Sequence, residues 1–299
     1  MQGFAYEAPS SLDALRARLA AAQGAGELTQ VLAGGTDLLV QMKQGQRAPG
    51  LILDIKRVGE TQALTVDGES LTIGASVPAA KAKAFPLVAE AFPGLAHAID
   101  LIGSSQIQGR ASLGGNLCNA SPAGDTIPAL IANGFEAQIL TAGGLRTLPV
   151  EAFVTGVGKN ALASGEVLLA LKAPVPGPRS GDAYQRFTPR TEMDIAVVGV
   201  GARLTLDDAG VIASARIALG AVAPQAFLAE AAGAALVGTR GEPEALEAAA
   251  AAAMAAAKPI SDKRGSADFR RRICGVLVKR VVAPALERCK TGGAKLCRL

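Results

Sequence analysis

GSSQIQGRASLGGNLCNASPAGDTIP, residues 103–128, is the stretch around which this 299-residue chain is organised. It holds 5 glycines and no aromatic residue, a composition that suits close approach of backbone to a ligand better than it suits a packed core. Ser112-Leu113-Gly114-Gly115-Asn116 can bend where a side chain would clash, and it exposes successive N–H groups of the kind that bind phosphate oxygens. The following turn, Asn119-Ala120-Ser121-Pro122-Ala123-Gly124-Asp125, adds hydroxyl, amide and carboxylate groups at close spacing. Ala33-Gly34-Gly35-Thr36-Asp37 is a second, similar loop far upstream. Two such loops on one chain suggest a long cofactor gripped at two places.

Around these loops the chain reads as short alternating elements. Leu12, Leu15 and Leu19 recur at helical spacing behind a serine N-cap at Ser10 or Ser11, and that helix stops at Gly24 and Gly26. Thr29–Leu32 reads as a buried strand running into the first glycine loop, after which Leu38, Leu39 and Met42 start a short helix. Strand, glycine pair and helix start would present free N–H groups to an anion, although a tight turn without a ligand has the same pattern. Asp37 disfavours phosphate contact by its own side chain and reads as a cap, or as a partner for a sugar or polar ring.

Leu51–Ile55 is the next strand, and 63–66 with 70–73 flank Asp67-Gly68-Glu69 as a hairpin. Helical patterns follow over 78–88, broken at Pro86, and over 92–102. His97, the one histidine, lies in the second of these; it reads as a structural residue, with a covalent flavin link as the functional alternative. Strands follow at 136–141, 145–148 and 166–171. The proline-rich bend at 173–178 is the domain boundary, giving lobes at 1–58 and 59–176 and a C-terminal α+β unit at 177–299. That unit reads as three antiparallel strands (184–188, 195–206, 211–219) followed by helices at 226–236, 243–257 and 267–290.

Composition bounds the function. Hydrophobic content of 49% supports substantial cores, while a net charge of +4 is mild. The basic runs Lys263-Arg264 and Arg270-Arg271-Arg272 lack interleaved aromatics and read as a solvated face or a subunit contact rather than a nucleic-acid site. No signal peptide and no apolar run long enough for a bilayer span are apparent, so the expected location is cytoplasmic. Cys118, Cys274, Cys289 and Cys297 form no C-x-x-C pair. No Walker A sequence is present, and Gly199-Val200-Gly201-Ala202 carries only half of a Rossmann fingerprint, which reads as small residues in a strand. One histidine supports neither a His-rich metal site nor a Ser-His-Asp triad. The chemistry therefore belongs to a bound cofactor, and the glycine loops suggest a dinucleotide held outside a Rossmann fold.

Ala-Gly-Gly-Thr-Asp-Leu-Leu at 33–39, Ser-Leu-Gly-Gly-Asn at 112–116 and Asn-Ala-Ser-Pro-Ala-Gly-Asp-Thr-Ile-Pro at 119–128 resemble the FAD-binding medium subunit of the molybdenum hydroxylases. The likeness extends to Arg190-Thr191-Glu192-Met193-Asp194-Ile195-Ala196 and to residues 262–270, so it covers nearly the whole chain. The resemblance implies an α+β, vanillyl-alcohol-oxidase-type (PCMH) FAD-binding fold of two lobes, followed by a C-terminal three-stranded antiparallel sheet with helices. It implies that Ala33, Gly34, Gly35, Thr36 and Asp37 contact FAD, chiefly its pyrophosphate. Ser112, Gly114, Gly115 and Asn116 form the opposing phosphate and ribityl contacts. Ser121 and Asp125 bind the adenosine side, Leu32 and Ile102, Gly103 and Ser104 line the cleft, and Lys172 touches the flavin ring.

The expected partners are a small [2Fe–2S] subunit and a large molybdopterin subunit in a dimer of heterotrimers. This subunit would pass electrons from the clusters to an external acceptor, and no catalytic or metal-ligating residue is expected in it. A self-sufficient FAD-dependent oxidase or reductase, with Tyr184 or His97 handling protons, is the alternative. Some members place an aromatic ring over the flavin where Ile195 falls here. The cysteine-rich insertion of the 4-hydroxybenzoyl-CoA reductases is missing, and Cys289 with Cys297 cannot supply four cluster ligands.

Overall fold

The computed structural model describes residues 3–190 and 193–291. Cys297, and Thr191 and Glu192 of the 190–196 segment, lie outside the described residues.

The first lobe is β1 (Ala5–Glu7), α1 (Leu12–Gly24), β2 (Thr29–Leu32), α2 (Leu38–Lys43) and β3 (Leu51–Asp54), with the strands in a parallel sheet ordered β1-β3-β2. Ser11 starts α1 by accepting the Ala14 N–H at 3.2 Å, and Leu15, Leu19 and Ala22 turn inward. The central strand β3 is buried along its whole length, as a strand flanked by parallel neighbours requires. Leu15, Leu19, Leu51 and Leu53 do not close a core alone. Leu140, Val167 and Leu169 from the second lobe complete it, which fixes one lobe against the other.

The second lobe runs through β4 (Leu64–Asp67), β5 (Ser70–Gly74), α3 (Ala79–Ala84), α4 (Pro86–Ala91), α5 (Pro93–Asp100), α6 (Ser105–Gln108), α7 (Leu113–Asn119) and α8 (Thr126–Ala132). It continues with β6 (Glu136–Thr141), β7 (Gly144–Pro149), α9 (Val150–Phe153), a small hairpin β8 (Val154–Gly156) and β9 (Lys159–Asn160), and β10 (Val167–Pro174). Its five-stranded antiparallel sheet is ordered β4-β5-β10-β6-β7. The 103–128 stretch is therefore largely three short helices rather than an open loop. Helices of four to seven residues are too short to show a period, and glycine hides what period there is.

The C-terminal unit holds β11 (Ser180–Phe187), β12 (Val198–Leu206), β13 (Ile212–Gly220), β14 (Phe227–Leu228), α10 (Glu230–Ala234), α11 (Pro243–Ala256) and α12 (Ala267–Thr291). Its antiparallel sheet has four strands, not three, in the order β11-β12-β13-β14. The helix expected over 226–236 is shorter because its first residues add to the sheet edge as β14, with Ala229 N–H donating to Ile217 O at 2.8 Å. Ile195 precedes β12 instead of beginning it. Arg270 is no surface cation: its guanidinium is buried and donates to the carbonyls of Val197 and Ala221 and to Asp262. Among the described residues no helix is long and apolar enough to cross a membrane.

Where this unit meets the second lobe, Asp182 is fully buried and accepts from the Gly94 and Leu95 N–H groups (3.0 and 3.1 Å) and from Asn133 Nδ2 (2.9 Å). It thereby satisfies orphan donors at the start of α5. Arg203 donates to Asn133 Oδ1 at 2.7 Å. Burial pushes the Asp182 carboxyl above its ordinary range, opposed by the Gly94 N–H and by Arg203. Asp182→Ala leaves two buried N–H groups unpaired and Arg203 uncompensated, and should cost about 3 kcal/mol, read as a fall in Tm and in the midpoint of urea unfolding.

Candidate functional site

The two glycine loops meet. Leu32 ends β2 and the chain turns through Gly34, whose missing Cβ would lie 1.9 Å from the Arg110 carbonyl oxygen, and through Gly35 at φ +80°. Only glycine allows the first loop to back directly onto the residues that precede α7. Gly114 is pressed in the same way against Ala75, where a Cβ would come within 2.5 Å of the carbonyl oxygen. Ser112 N-caps α7, its Oγ accepting from Gly115 N–H at 3.0 Å, and Ala79 N–H holds Ala111 O at 2.7 Å. Both loops are thus anchored to the turn after β5, and both line one cleft of about 850 Å³.

The cleft brings together most of the expected residues: Ala33, Gly34, Gly35, Thr36 and Asp37; Ile102 and Gly103; Ser112, Gly114, Gly115 and Asn116; Ser121 and Asp125. Three do not line it. Leu32 is the last residue of β2, with the chain turning into the cleft after it, and Ser104 N-caps α6. Lys172 sits on β10 opposite Thr72 and Glu136, four residues beyond Leu168, which does line the cleft; at strand rise that is about 13 Å away. Sequence reasoning missed the opposite wall, Gly158, Asn160 and residues 162–168, where only the Ser164-Gly165 pair has a telling composition. It also missed Gln30, Gln41 and Arg47. Gln41 donates to Asn119 Oδ1 at 3.0 Å, and Arg47 donates to the side-chain carbonyls of Gln41 and Gln30.

The donor set suits an anionic ligand with a polar body. Among the described residues, the N–H groups of Gly35, Thr36 and Gly114 have no protein acceptor. The Asp37 side chain makes no capping bond, contrary to one expectation for it, and burial raises its pKa. It is a carboxylate lining the cleft to which no side chain or backbone N–H among the described residues donates. Asn116 uses its Oδ1 to accept from Thr126 at 2.7 Å, which leaves its Nδ2 for the cleft. Asp125 is already engaged, Oδ1 with Tyr184 Oη at 2.8 Å and Oδ2 with Arg186 Nη1 at 2.6 Å. Burial raises its pKa, opposed first by the Arg186 charge and then by the Tyr184 hydrogen bond.

These bonds tie Asp125 to the C-terminal sheet, the unit that also carries Ile195. Both positions line the cleft. Neither candidate for proton handling is free. His97 Nδ1 is 2.9 Å from the Tyr184 carbonyl, and the Tyr184 hydroxyl is spent on Asp125. Cys118 lines the cleft as a thiol, its pKa pushed up to about 12 by burial.

A cleft of this volume lies in the upper part of the ~300–1,000 Å³ range of small-molecule sites. Unpaired N–H groups at two glycine turns, an uncommitted carboxylate and walls that a single Cβ would obstruct fit FAD.

Comparison with known proteins agrees with this geometry. Residues 2–176 match the family described as the FAD binding domain in molybdopterin dehydrogenase, and residues 183–285 match the CO dehydrogenase flavoprotein C-terminal domain. The chain is 33% identical to the carbon monoxide dehydrogenase medium chain of Hydrogenophaga pseudoflava over 96% of its own length and 98% of that protein's. It is 30% identical to the xanthine dehydrogenase FAD-binding subunit of Escherichia coli O157:H7, with 89% and 91% covered. A solved structure of the Hydrogenophaga pseudoflava carbon monoxide dehydrogenase superposes with a TM-score of 0.90 at 33% identity, covering 96% of this chain and 98% of that one. Quinoline 2-oxidoreductase from Pseudomonas putida 86 does so at 0.87 and 28%, covering 96% and 98%. Two glycine loops closing one cleft and these likenesses lead to one conclusion: the chain is an oxidoreductase subunit that belongs to the family of FAD-binding flavoproteins of the molybdopterin dehydrogenases.

Proposed function

We propose that this chain is the FAD-binding electron-transfer subunit of a heterotrimeric molybdenum-containing hydroxylase or dehydrogenase. It takes electrons from [2Fe–2S] clusters of a small subunit and passes them to an external acceptor, while a large molybdopterin subunit oxidises the substrate. The assembly is a dimer of such heterotrimers in the cytoplasm, and the chain divides at 1–58, 59–176 and 177–299. The observation that carries the reading is the backbone-to-backbone seating of Gly34 on Arg110 beside unpaired N–H groups from both lobes. Relatives at 30–33% identity are named as medium or FAD-binding subunits of carbon monoxide and xanthine dehydrogenases, which supports the same assignment.

Within the cleft the chain's task is binding and orientation. The N–H groups of Gly35, Thr36 and Gly114 donate to the pyrophosphate, and charge on it is favoured by the starts of α2 and α7. Asn116 Nδ2 donates to the sugar or ribityl oxygens, and Asp37 and Asp125 accept from hydroxyl or ring N–H groups. Ala33, Gly115, Ser121, Ile102 and Gly103 complete the walls. The chemistry supplied by bound FAD is acceptance of electrons singly and their release in pairs. Ile195 is 51% exposed at the cleft, which leaves that side open to an acceptor or a partner. His97 Nδ1 and the Tyr184 hydroxyl are both engaged within the protein, which speaks against their serving as a proton-transfer set.

Two measurements test this. Tagged full-length chain purified from its native host should come off the column yellow, with about one FAD per chain and with two further chains carrying iron and molybdenum. A yellow single chain that turns over a substrate unaided would overturn the assignment. Gly34→Ala forces a Cβ onto the Arg110 carbonyl and should separate the loops at a cost of about 1–3 kcal/mol, so that most FAD is lost on gel filtration. Gly177→Ala, which meets nothing within 4 Å, should keep its flavin.

A further inference from the structure

We infer that Tyr184 is a positioning residue for the flavin cleft: from the C-terminal sheet it fixes the Asp125 carboxylate in the place from which Asp125 holds FAD. The inference rests on the proposed role of Asp125 in the cleft and adds what sets that role up.

Tyr184 belongs to β11 and its ring is 2% exposed. Its hydroxyl reaches out of the C-terminal sheet and donates to Asp125 Oδ1 at 2.8 Å, while Arg186, two residues along the same strand, takes Oδ2 at 2.6 Å. Each oxygen keeps a lone pair, so the carboxylate is aimed without being used up.

The neighbouring strands are built to admit this contact. At Gly199 on β12 a Cβ would lie 2.5 Å from the Tyr184 hydroxyl oxygen. At Gly201 it would lie 2.6 Å from the Pro128 carbonyl oxygen, and at Gly220 on β13 2.6 Å from Pro128 Cγ. The Gly199-Val200-Gly201 run is therefore a bare backbone patch that receives the tyrosine tip and the helix α8 that follows Asp125. A second tie holds the same turn, Ala221 N–H donating to Pro122 O at 2.7 Å with Ala221 at φ 62°. Ala221 O is in turn bound by the buried Arg270.

An ionised carboxylate accepts strongly at both oxygens, whereas protonation turns one of them into a donor and weakens what a cofactor hydroxyl or N–H finds there. The groups facing Asp125 are Tyr184 and Arg186 from β11 and His97 from α5. Burial raises the Asp125 pKa, and the tyrosine hydrogen bond works against that rise. Removing the hydroxyl raises it further, so the loss of FAD affinity on acidification begins at a higher pH.

The experiment uses deflavinated holoenzyme reconstituted with FAD and followed by flavin fluorescence. Tyr184→Phe keeps the packing and removes one hydrogen bond to a charged acceptor, which should weaken FAD binding about tenfold. Its affinity should fall away at higher pH than in the wild type. Asp125→Asn should lose this pH dependence, and adding Tyr184→Phe to it should cause no further weakening. Wild-type affinity and pH profile in Tyr184→Phe would overturn the inference, as would independent, multiplying effects in the double variant. Should Tyr184→Phe fail to fold, Gly199→Ala displaces the hydroxyl with the tyrosine retained and is judged by the same two results. Wild-type protein that takes up no FAD would overturn the flavin assignment and this inference with it, whereas binding that ignores Tyr184 overturns this inference alone.

Discussion

One steric constraint governs the arrangement: the first glycine loop must touch the backbone of the second lobe with nothing between them. A Cβ at Gly34 would sit 1.9 Å from the Arg110 carbonyl oxygen, well inside any van der Waals distance. Because the contact is made by main chain, it brings main-chain donors with it. Among the described residues the N–H groups of Gly35, Thr36 and Gly114 are left without an acceptor, since neither turn can continue a strand or a full helical ladder there. Leu140, Val167 and Leu169 reinforce the contact by completing the apolar core of the first lobe. The cleft is therefore a consequence of how the lobes pack.

The C-terminal unit is bound into the same construction. Asp182 caps α5, Arg203 reaches Asn133, and Tyr184 with Arg186 grips Asp125, so polar contacts at several points cross from the C-terminal sheet into the second lobe. Each leaves a charged or polar group away from water, where a missing partner costs far more than a present one returns. Such an interface tolerates little sliding. The C-terminal domain thereby shares in shaping the cleft, through these polar contacts and through Tyr184, Ala218 and Ala226, which pack into the core of the second lobe.

Much of the first lobe was legible from periodicity. Leu15 and Leu19 behind a serine cap, and the apolar run Leu51–Leu53, have local causes that lie next to one another in the chain. The glycine loops were legible by composition. The short helices of residues 105–132 were not, because four to seven residues do not complete enough turns to display a period. Nor was the edge strand Phe227–Leu228, which exists only because β13 offers it a free edge. Arg270 looked like one member of a basic surface run and is instead a buried clamp, since its acceptors, Val197 and Ala221, lie far away in sequence.

The amino-acid sequence by itself determined which residues could approach a ligand with bare backbone, and with that the class of cofactor and the family. Those properties reside in single residues and their neighbours. Tertiary structure alone decided which residues meet in the cleft: it admitted Gln41, Arg47 and the 162–168 wall, kept Lys172 about 13 Å along its strand, and bonded Asp125 to the C-terminal sheet. Contacts of that kind depend on how separate elements pack, and no local pattern in the chain encodes them.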